Sequence, residues 1–115
     1  MEAFEKLEVW QRSCRLSVTI YQVLADCRDF GFKDQVTRSA LSVPSNIAEG
    51  YERNSLKEYL RFLRIAKGSC GELRTQLYIG KAAGLLDHIE YDLIGESTAL
   101  ARMLQALITS LEAGG

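Results

Sequence analysis

Apolar residues recur every three or four positions along almost the whole chain, and strand-like alternation is confined to stretches of a few residues. This spacing puts apolar side chains on one side of a helix. It predicts four helices, at about residues 5 to 27, 33 to 53, 56 to 84 and 88 to 112. Because the connections are short, successive helices should lie antiparallel, so the prediction is an all-α, antiparallel up-and-down four-helix bundle.

Two of the helix starts carry capping signals. Ser55 followed by Glu58 fits a capping box, and Asp87 followed by Glu90 resembles one. In such a pair the side chains bond to backbone N–H groups that the first turn leaves free. The third and fourth helices are therefore expected to begin directly after Ser55 and Asp87.

The second helix contains the only proline of the chain, Pro44. Apolar positions keep the same phase on both sides of it, and they line one side of the helix: Val36, Ala40, Val43, Ile47 and Tyr51. A break would scramble that phase. We therefore predict one helix kinked at Pro44, because the ring removes an N–H and crowds the carbonyl of Ala40. Ser42 and Ser45 are candidates to satisfy the freed backbone groups.

The first helix has two apolar stripes, separated by roughly 200° at 100° per residue. One stripe consists of Leu7, Trp10, Cys14, Val18, Tyr21 and Ala25. The other consists of Val9, Leu16, Ile20, Val23 and Cys27. A bundle core needs only one of them, and a continuous exposed apolar strip usually marks a partner surface. We expect Val9, Leu16, Ile20 and Val23 to contact a second copy of the chain; the alternative is that the second stripe lies beneath the chain's own loops.

The third helix has a patch of small residues, Gly68, Ser69 and Gly71. If the second and third helices form a hairpin at Asn54 and Ser55, the numbers of facing residues should add up to about 108 to 110. Ala40 would then face Gly68, and Arg38 would lie near Glu72. The small residues predict close packing of the two helices, with a ligand site as the alternative.

Composition limits the class of protein. At 115 residues, of which 47% are hydrophobic, the chain can form one core, so residues 1–115 should be a single domain. The start lacks a basic region followed by an apolar stretch, and no run of about 18 apolar residues occurs, which favours a cytoplasmic protein without a membrane span. The three cysteines form no close pair and are expected to be small core residues.

Charge is unevenly distributed, although the formal net charge is only −1. Between Arg53 and Lys81 there are seven lysine or arginine residues and two acids, a surplus of five positive charges. Such a helix could hold phosphates by releasing counterions. The candidate nucleic-acid contacts are Lys57, Arg61, Arg64, Lys67, Arg74 and Lys81. The alternative is a solvated helix face with local pairs, Glu58 with Arg61 and Glu49 with Arg53.

Signals for catalysis are missing from the sequence. The single histidine, His88, cannot supply the paired Glu-x-x-His motifs of a di-iron bundle, and no P-loop, dinucleotide or serine-hydrolase motif occurs. We therefore predict no catalytic, cofactor-binding or metal-binding residues. A small ligand held between subunits by Arg38, Asn46 and Glu49 stays an open alternative.

Three segments resemble the 23S rRNA intervening-sequence family: FEKLEVWQRS, DQVTRSALSVPSNIAEGYERNSLKEYLRFLRIAKGSCGEL and QLYIGKAAGLL. The likeness spans about residues 4 to 86 and implies a four-helix bundle that forms a closed ring, typically a homopentamer, with no established enzymatic activity. A related branch, the accessory variability determinants of diversity-generating retroelements, forms basic rings that bind a reverse transcriptase and nucleic acid.

The resemblance also implies a polar signature on the second and third helices. Its members here are Gln35, Arg38, Ser39, Ser42, Asn46, Glu49, Gly50, Arg53, Lys67, Gly68, Ser69 and Glu72. Eight of them form the candidate polar interface or ligand site: Gln35, Arg38, Ser39, Ser42, Asn46, Glu49, Arg53 and Glu72. The function expected is a non-enzymatic homo-oligomeric scaffold, and the alternative is an accessory protein that binds RNA, with an RNA-processing or reverse-transcriptase protein as a possible further partner.

Overall fold

The chain folds as an antiparallel bundle of four α-helices. The computed structural model describes residues 3–114, and no strand occurs among them. A short 3-10 helix at Ala3–Lys6 precedes α1 at Glu8–Val23, α2 at Phe30–Glu52, α3 at Leu56–Ala82 and α4 at Leu93–Gly114. Successive helices pack against each other, and α1 also contacts α4. The predicted all-α four-helix fold is confirmed.

One hydrophobic core contains buried residues from all four helices. The contact between α2 and α3 is the most extensive, and that between α1 and α4 is the smallest. Within residues 3–114, every hydrogen bond that crosses from α1 to α4 starts at Arg12. Its guanidinium donates to both carboxylate oxygens of Glu96, at 2.7 and 2.8 Å, and to the sulfur of Met103. The hydrogen bond from Glu96 and its charge raise the pKa of Arg12.

The core-facing side of α1 differs from the prediction. Val9, Leu16 and Ile20, expected to contact a second copy, are at most 5% exposed and lie in the core of the chain itself. Val23 is half-buried and packs against that core. Val9, Leu16 and Ile20 are covered within the chain itself, so their assignment to an oligomer interface is wrong, while that of Val23 stays a prediction. The stripe of Cys14, Val18 and Tyr21 faces outward instead.

Pro44 lies inside α2, which continues through it, and the residue is buried. Because proline has no N–H, the carbonyl of Ala40 lacks its usual partner four residues on. That carbonyl accepts a hydrogen bond of 3.0 Å from the buried Oγ of Ser17 in α1. The freed group is thus satisfied by another helix, and not by Ser42 or Ser45 as predicted. The kink itself stays a prediction.

Contacts between α2 and α3 fix their register. The Oγ of Ser39 donates to Glu72 at 2.8 Å, and the hydroxyls of Ser42 and Ser69 are also 2.8 Å apart. In both pairs the residue numbers add up to 111, one more than the upper end of the predicted range. Arg38 does not pair with Glu72, because its Nε donates to Asp34 on the same helix at 2.9 Å.

Close approach of α2 and α3 requires a glycine near the end of α2. A Cβ added at Gly50 would lie 2.6 Å from the Cβ of Phe62 and 3.3 Å from the carbonyl oxygen of Tyr59. Neither atom can move without shifting the helix that carries it. Gly50 therefore allows a packing distance that a larger residue would prevent.

Helix boundaries agree with the capping signals at one of the two predicted starts. Ser55 Oγ accepts from the N–H of Glu58 at 3.1 Å and caps α3 as predicted. The start predicted at Asp87 is wrong, since α4 begins at Leu93 and Asp92 accepts from the N–H of Gly95 at 2.9 Å. The buried positions of α4 begin at Leu93, so the helix starts where its apolar period starts.

We predict that Ser17→Ala lowers the free energy of unfolding by about 1–3 kcal/mol, because it leaves the buried carbonyl of Ala40 without a donor. Pro44→Ala restores a backbone N–H at position 44, so Ser17→Ala should cost much less in that background. Urea unfolding of the two single variants and the double variant measures this coupling. Ser45→Ala, which removes an exposed hydroxyl of α2, is the matched control. Equal losses in both backgrounds would contradict the interaction.

Candidate interaction surfaces

An apolar strip is exposed along the outer side of the contact between α1 and α2. Its most exposed members are Val18 at 55%, Tyr21 at 45% and Leu41 at 43%, and Cys14 is half-buried beside them. Val18 and Leu41 directly follow Ser17 and Ala40, whose hydrogen bond joins the two helices at this level. We call these four residues, Cys14, Val18, Tyr21 and Leu41, the α1/α2 apolar strip.

Aromatic residues cover the end of the same stripe. Phe4 makes edge-on contacts with Trp10 and Tyr51, at ring-centroid distances of 5.3 and 6.3 Å. Tyr51 in turn lies 5.6 Å from Tyr59. Burial, with a smaller contribution from Tyr51, raises the pKa of Tyr59 to about 12. The 3-10 helix is thereby packed against α1 and α2, and Trp10 is half-buried at this end.

Five of the eight predicted polar residues line one cleft between α2 and α3. The cleft has a volume of about 370 Å³ and is lined by Gln35, Arg38, Ser39, Ser42, Glu72 and Gln76. We call it the α2/α3 polar cleft. Gln76 was not among the predicted residues, although it follows Glu72 by one helical turn and so shares its face.

The other three predicted polar residues do not line this cleft. Asn46 donates to the backbone carbonyl and the hydroxyl of Ser42, at 2.7 and 2.9 Å. Arg53 donates to Glu49 at 2.8 Å, in an exposed pair within α2. Asn46 therefore supports one wall of the cleft, while Glu49 and Arg53 satisfy each other further along the helix.

Two side-chain acceptors of the polar cleft have few partners within the chain. Glu72 receives one hydrogen bond, from Ser39, and Arg38 is engaged with Asp34. Oε1 of Gln76 is buried and accepts no hydrogen bond within residues 3–114. A neighbouring cleft of about 220 Å³ shares Gln76 and extends to the apolar side chain of Ile79. The combined surface is polar in the middle and apolar at one end.

The six basic residues of α3 are all exposed, and most of them have partners within the chain. Arg61 donates to Glu58 at 3.0 Å and lies over the ring of Phe62, 4.5 Å from its centroid. Arg64 and Lys67 reach α4, where they donate to Glu112 and Gln105, both at 2.5 Å.

The remaining basic residues are less engaged. Arg74 donates to Thr98 at a longer 3.4 Å. Lys57 and Lys81 form no salt bridge within the described part of the chain. The local pairs Glu58 with Arg61 and Glu49 with Arg53, the alternative to nucleic-acid contact, are both formed.

The cysteines and the single histidine do not converge. Cys70 is buried in the core, and burial raises its pKa to about 11 against a smaller opposing effect of Arg74. Burial also raises the pKa of Cys14, opposed by Arg15. Thiols of this kind stay protonated at neutral pH and are poor nucleophiles. His88 is exposed between α3 and α4.

Residues 3–114 hold neither a metal-binding cluster nor a helix suited to a bilayer. No group of three or more histidine, cysteine or acidic side chains is arranged there to hold a metal ion. None of the four helices combines the length and apolar character needed to cross a membrane.

Comparison with known proteins identifies the family. No curated protein sequence matches the chain. A crystal structure of a protein of unknown function from Bacteroides thetaiotaomicron VPI-5482, described as belonging to the S23 ribosomal protein family, is similar with a TM-score of 0.71 and 25% identity. The similarity covers 87% of this chain and 97% of that one. A family model described as 23S rRNA-intervening sequence protein matches residues 5–106. The resemblance predicted from the sequence is confirmed, and the chain belongs to the 23S rRNA-intervening sequence protein family.

Proposed function

We propose that this protein is a non-enzymatic scaffold that assembles with copies of itself into a ring, with five copies as the expected number. The observation that carries the proposal is the α1/α2 apolar strip. Val18, Tyr21 and Leu41 are each more than two-fifths exposed, and Val18 and Leu41 directly follow the two residues whose hydrogen bond joins α1 to α2. Contiguous apolar surface of this kind marks contact with a protein partner more often than a solvated face.

The energetics favour a second copy as that partner. Burying the side chain of a valine, leucine or similar residue contributes about 1.5–3 kcal/mol, and the strip residues have roughly half of that still to gain. One strip alone is a modest contribution, but a ring repeats the contact at every subunit. Repetition makes a closed ring more stable than an open chain of the same contacts.

RNA association is the second candidate function. The observation that favours it is the exposure of all six basic residues of α3. Lys67 and Arg74 contact α4, so they lie on the edge of α3 away from the α1/α2 apolar strip. A ring built through the strip would leave this edge free. The partners of Arg61, Arg64 and Lys67 within the chain count against strong binding, because a phosphate contact at any of these residues must replace one of them.

We predict that Val18→Glu converts the wild-type assembly to single chains of 12.9 kDa without loss of helix content. A carboxylate in the middle of the strip would lose its water in the contact, at a large desolvation cost. Analytical ultracentrifugation at micromolar concentration measures the mass, and circular dichroism measures the fold. Ala106→Glu, at an exposed position of α4, is the control and should leave the assembly intact. Monomeric wild-type protein, or an assembled Val18→Glu variant, would contradict the proposal.

If the protein binds RNA, the logarithm of its affinity should fall linearly with the logarithm of salt concentration. Replacing Lys67, Arg74 and Lys81 by glutamine should reduce that slope by about 0.7–0.9 for each phosphate that the protein no longer neutralises. Fluorescence anisotropy with a structured RNA at several salt concentrations measures it. Arg28→Gln, which removes an exposed charge from the connection between α1 and α2, is the control. An affinity that is independent of salt and of these substitutions rules the second candidate out.

A further inference from the structure

We infer that the α2/α3 polar cleft receives helix α1 of a second copy, and that Arg15 of that copy donates hydrogen bonds to Glu72 and Gln76. This inference rests on the self-association proposed above. It identifies the α2/α3 polar cleft of one copy as the surface that the α1/α2 apolar strip of the next copy contacts. The contact joins two different surfaces of the same chain, so it is head-to-tail.

The cleft is built to accept a cationic donor. Glu72 is exposed and its Oε1 accepts from the hydroxyl of Ser39, while Arg38, the cation of the cleft, donates its Nε to Asp34 and forms no ion pair with Glu72 within residues 3–114. One turn further along α3, Oε1 of Gln76 is buried without a donor. An unpaired charge and an unsatisfied buried acceptor on one helix face both become more stable when a donor with positive charge arrives.

Arg15 is a cation of α1 that lies beside the apolar strip, on the side that borders α4. It is exposed, and on a helical wheel it lies about 60° from Val18 on the outer face of α1. Within residues 3–114 its guanidinium forms no salt bridge or hydrogen bond, whereas its neighbour Arg12 is bonded to Glu96. Arg15 also lies near Asp92, but one oxygen of that carboxylate caps α4. A guanidinium presents several N–H groups in a planar fork, which suits a carboxylate and an amide oxygen at the same time.

Glycine in α3 provides an independent indication of close approach. A Cβ added at Gly68 would meet no atom within 4 Å, so packing inside the chain does not require glycine there. Glycine destabilises a helix interior relative to alanine, so its small size is not explained by the fold of one chain. Gly68 precedes Glu72 by one turn and lies on the same face. Together with the small side chains of Ser42 and Ser69, it leaves room for a second helix at the edge of the cleft.

The position of the two surfaces also fits the proposed assembly. The strip lies where α1 meets α2, and the cleft lies where α2 meets α3, so the surfaces occupy neighbouring sides of the bundle. When each pair of chains forms this contact only once, the assembly is head-to-tail. Such a contact forms either a closed ring or an open filament. Because the two surfaces lie on neighbouring sides of the bundle, each added copy turns the assembly toward a closed ring.

A charge exchange tests the pairing directly. Arg15→Glu and Glu72→Arg should each raise the dissociation constant of the assembly at least tenfold, because each places two like charges together. The double variant should recover most of the wild-type affinity, since it restores an opposite pair. Sedimentation velocity over a concentration series measures the constants, and circular dichroism verifies that all three variants are folded.

The outcomes separate this inference from the proposal on which it rests. If the wild-type protein is monomeric, both fail. If the wild-type protein assembles and Val18→Glu abolishes assembly, but Arg15→Glu and Glu72→Arg assemble normally, the strip is an interface and the cleft is not its counterpart. Weakening by both single variants without recovery in the double variant also overturns the pairing.

A second test uses size in place of charge. Gly68→Leu meets open space within one chain, so the variant should fold with an unchanged or higher melting temperature. In the assembly the added side chain would block the approaching helix, and the protein should sediment as single chains. Ala106→Leu on the exposed side of α4 adds a leucine elsewhere and should assemble like the wild type. Normal assembly of Gly68→Leu would exclude a helix at this point.

Discussion

The bundle depends on how the missing N–H of Pro44 is compensated. A proline in a helix interior leaves one carbonyl without a partner, and a buried carbonyl in that state is costly. Here the carbonyl belongs to Ala40, and the hydroxyl of Ser17 supplies the donor from α1. A local defect in α2 is thus the attachment point for a neighbouring helix. Because the donor must be a small side chain that fits between two helices, the hydrogen bond also fixes how closely α1 approaches.

The same hydrogen bond decides which side of α1 faces outward. With Ser17 directed at α2, Ile20 and Leu16 turn into the core, and Val18 and Tyr21 are left on the surface. The orientation of α1 about its axis therefore determines both which of its residues enter the core and which belong to the α1/α2 apolar strip. The polar cleft arises in a comparable way, because the Ser39–Glu72 and Ser42–Ser69 contacts bring α2 and α3 together through small or short polar groups.

Much of the fold follows from the sequence, because apolar spacing alone determines how many helices form and that they pack in a bundle. The orientation of α1 does not follow, since both of its stripes are apolar enough to form a core. The serines indicate which stripe faces the core. Ser13 and Ser17 lie beside the stripe that contains Leu16, and small hydroxyl side chains fit against another helix. The predicted start of α4 is wrong because Asp87 and Asp92 are both good caps, and only the burial of Leu93 distinguishes them. Five of the eight predicted polar residues meet in one cleft, but the competition of Asp34 for Arg38 depends on side-chain geometry that periodicity does not contain.

The four edges of the bundle are not equally secured. Three are joined by a short hairpin connection or by several polar contacts. The edge between α1 and α4 has the smallest contact, and within residues 3–114 every hydrogen bond across it comes from Arg12. Both side chains of the Arg12–Glu96 salt bridge are about one-third accessible to solvent. Dissolved ions can screen an attraction of this kind. A rise in ionic strength therefore weakens the contact between α1 and α4 before it affects the hydrophobic core.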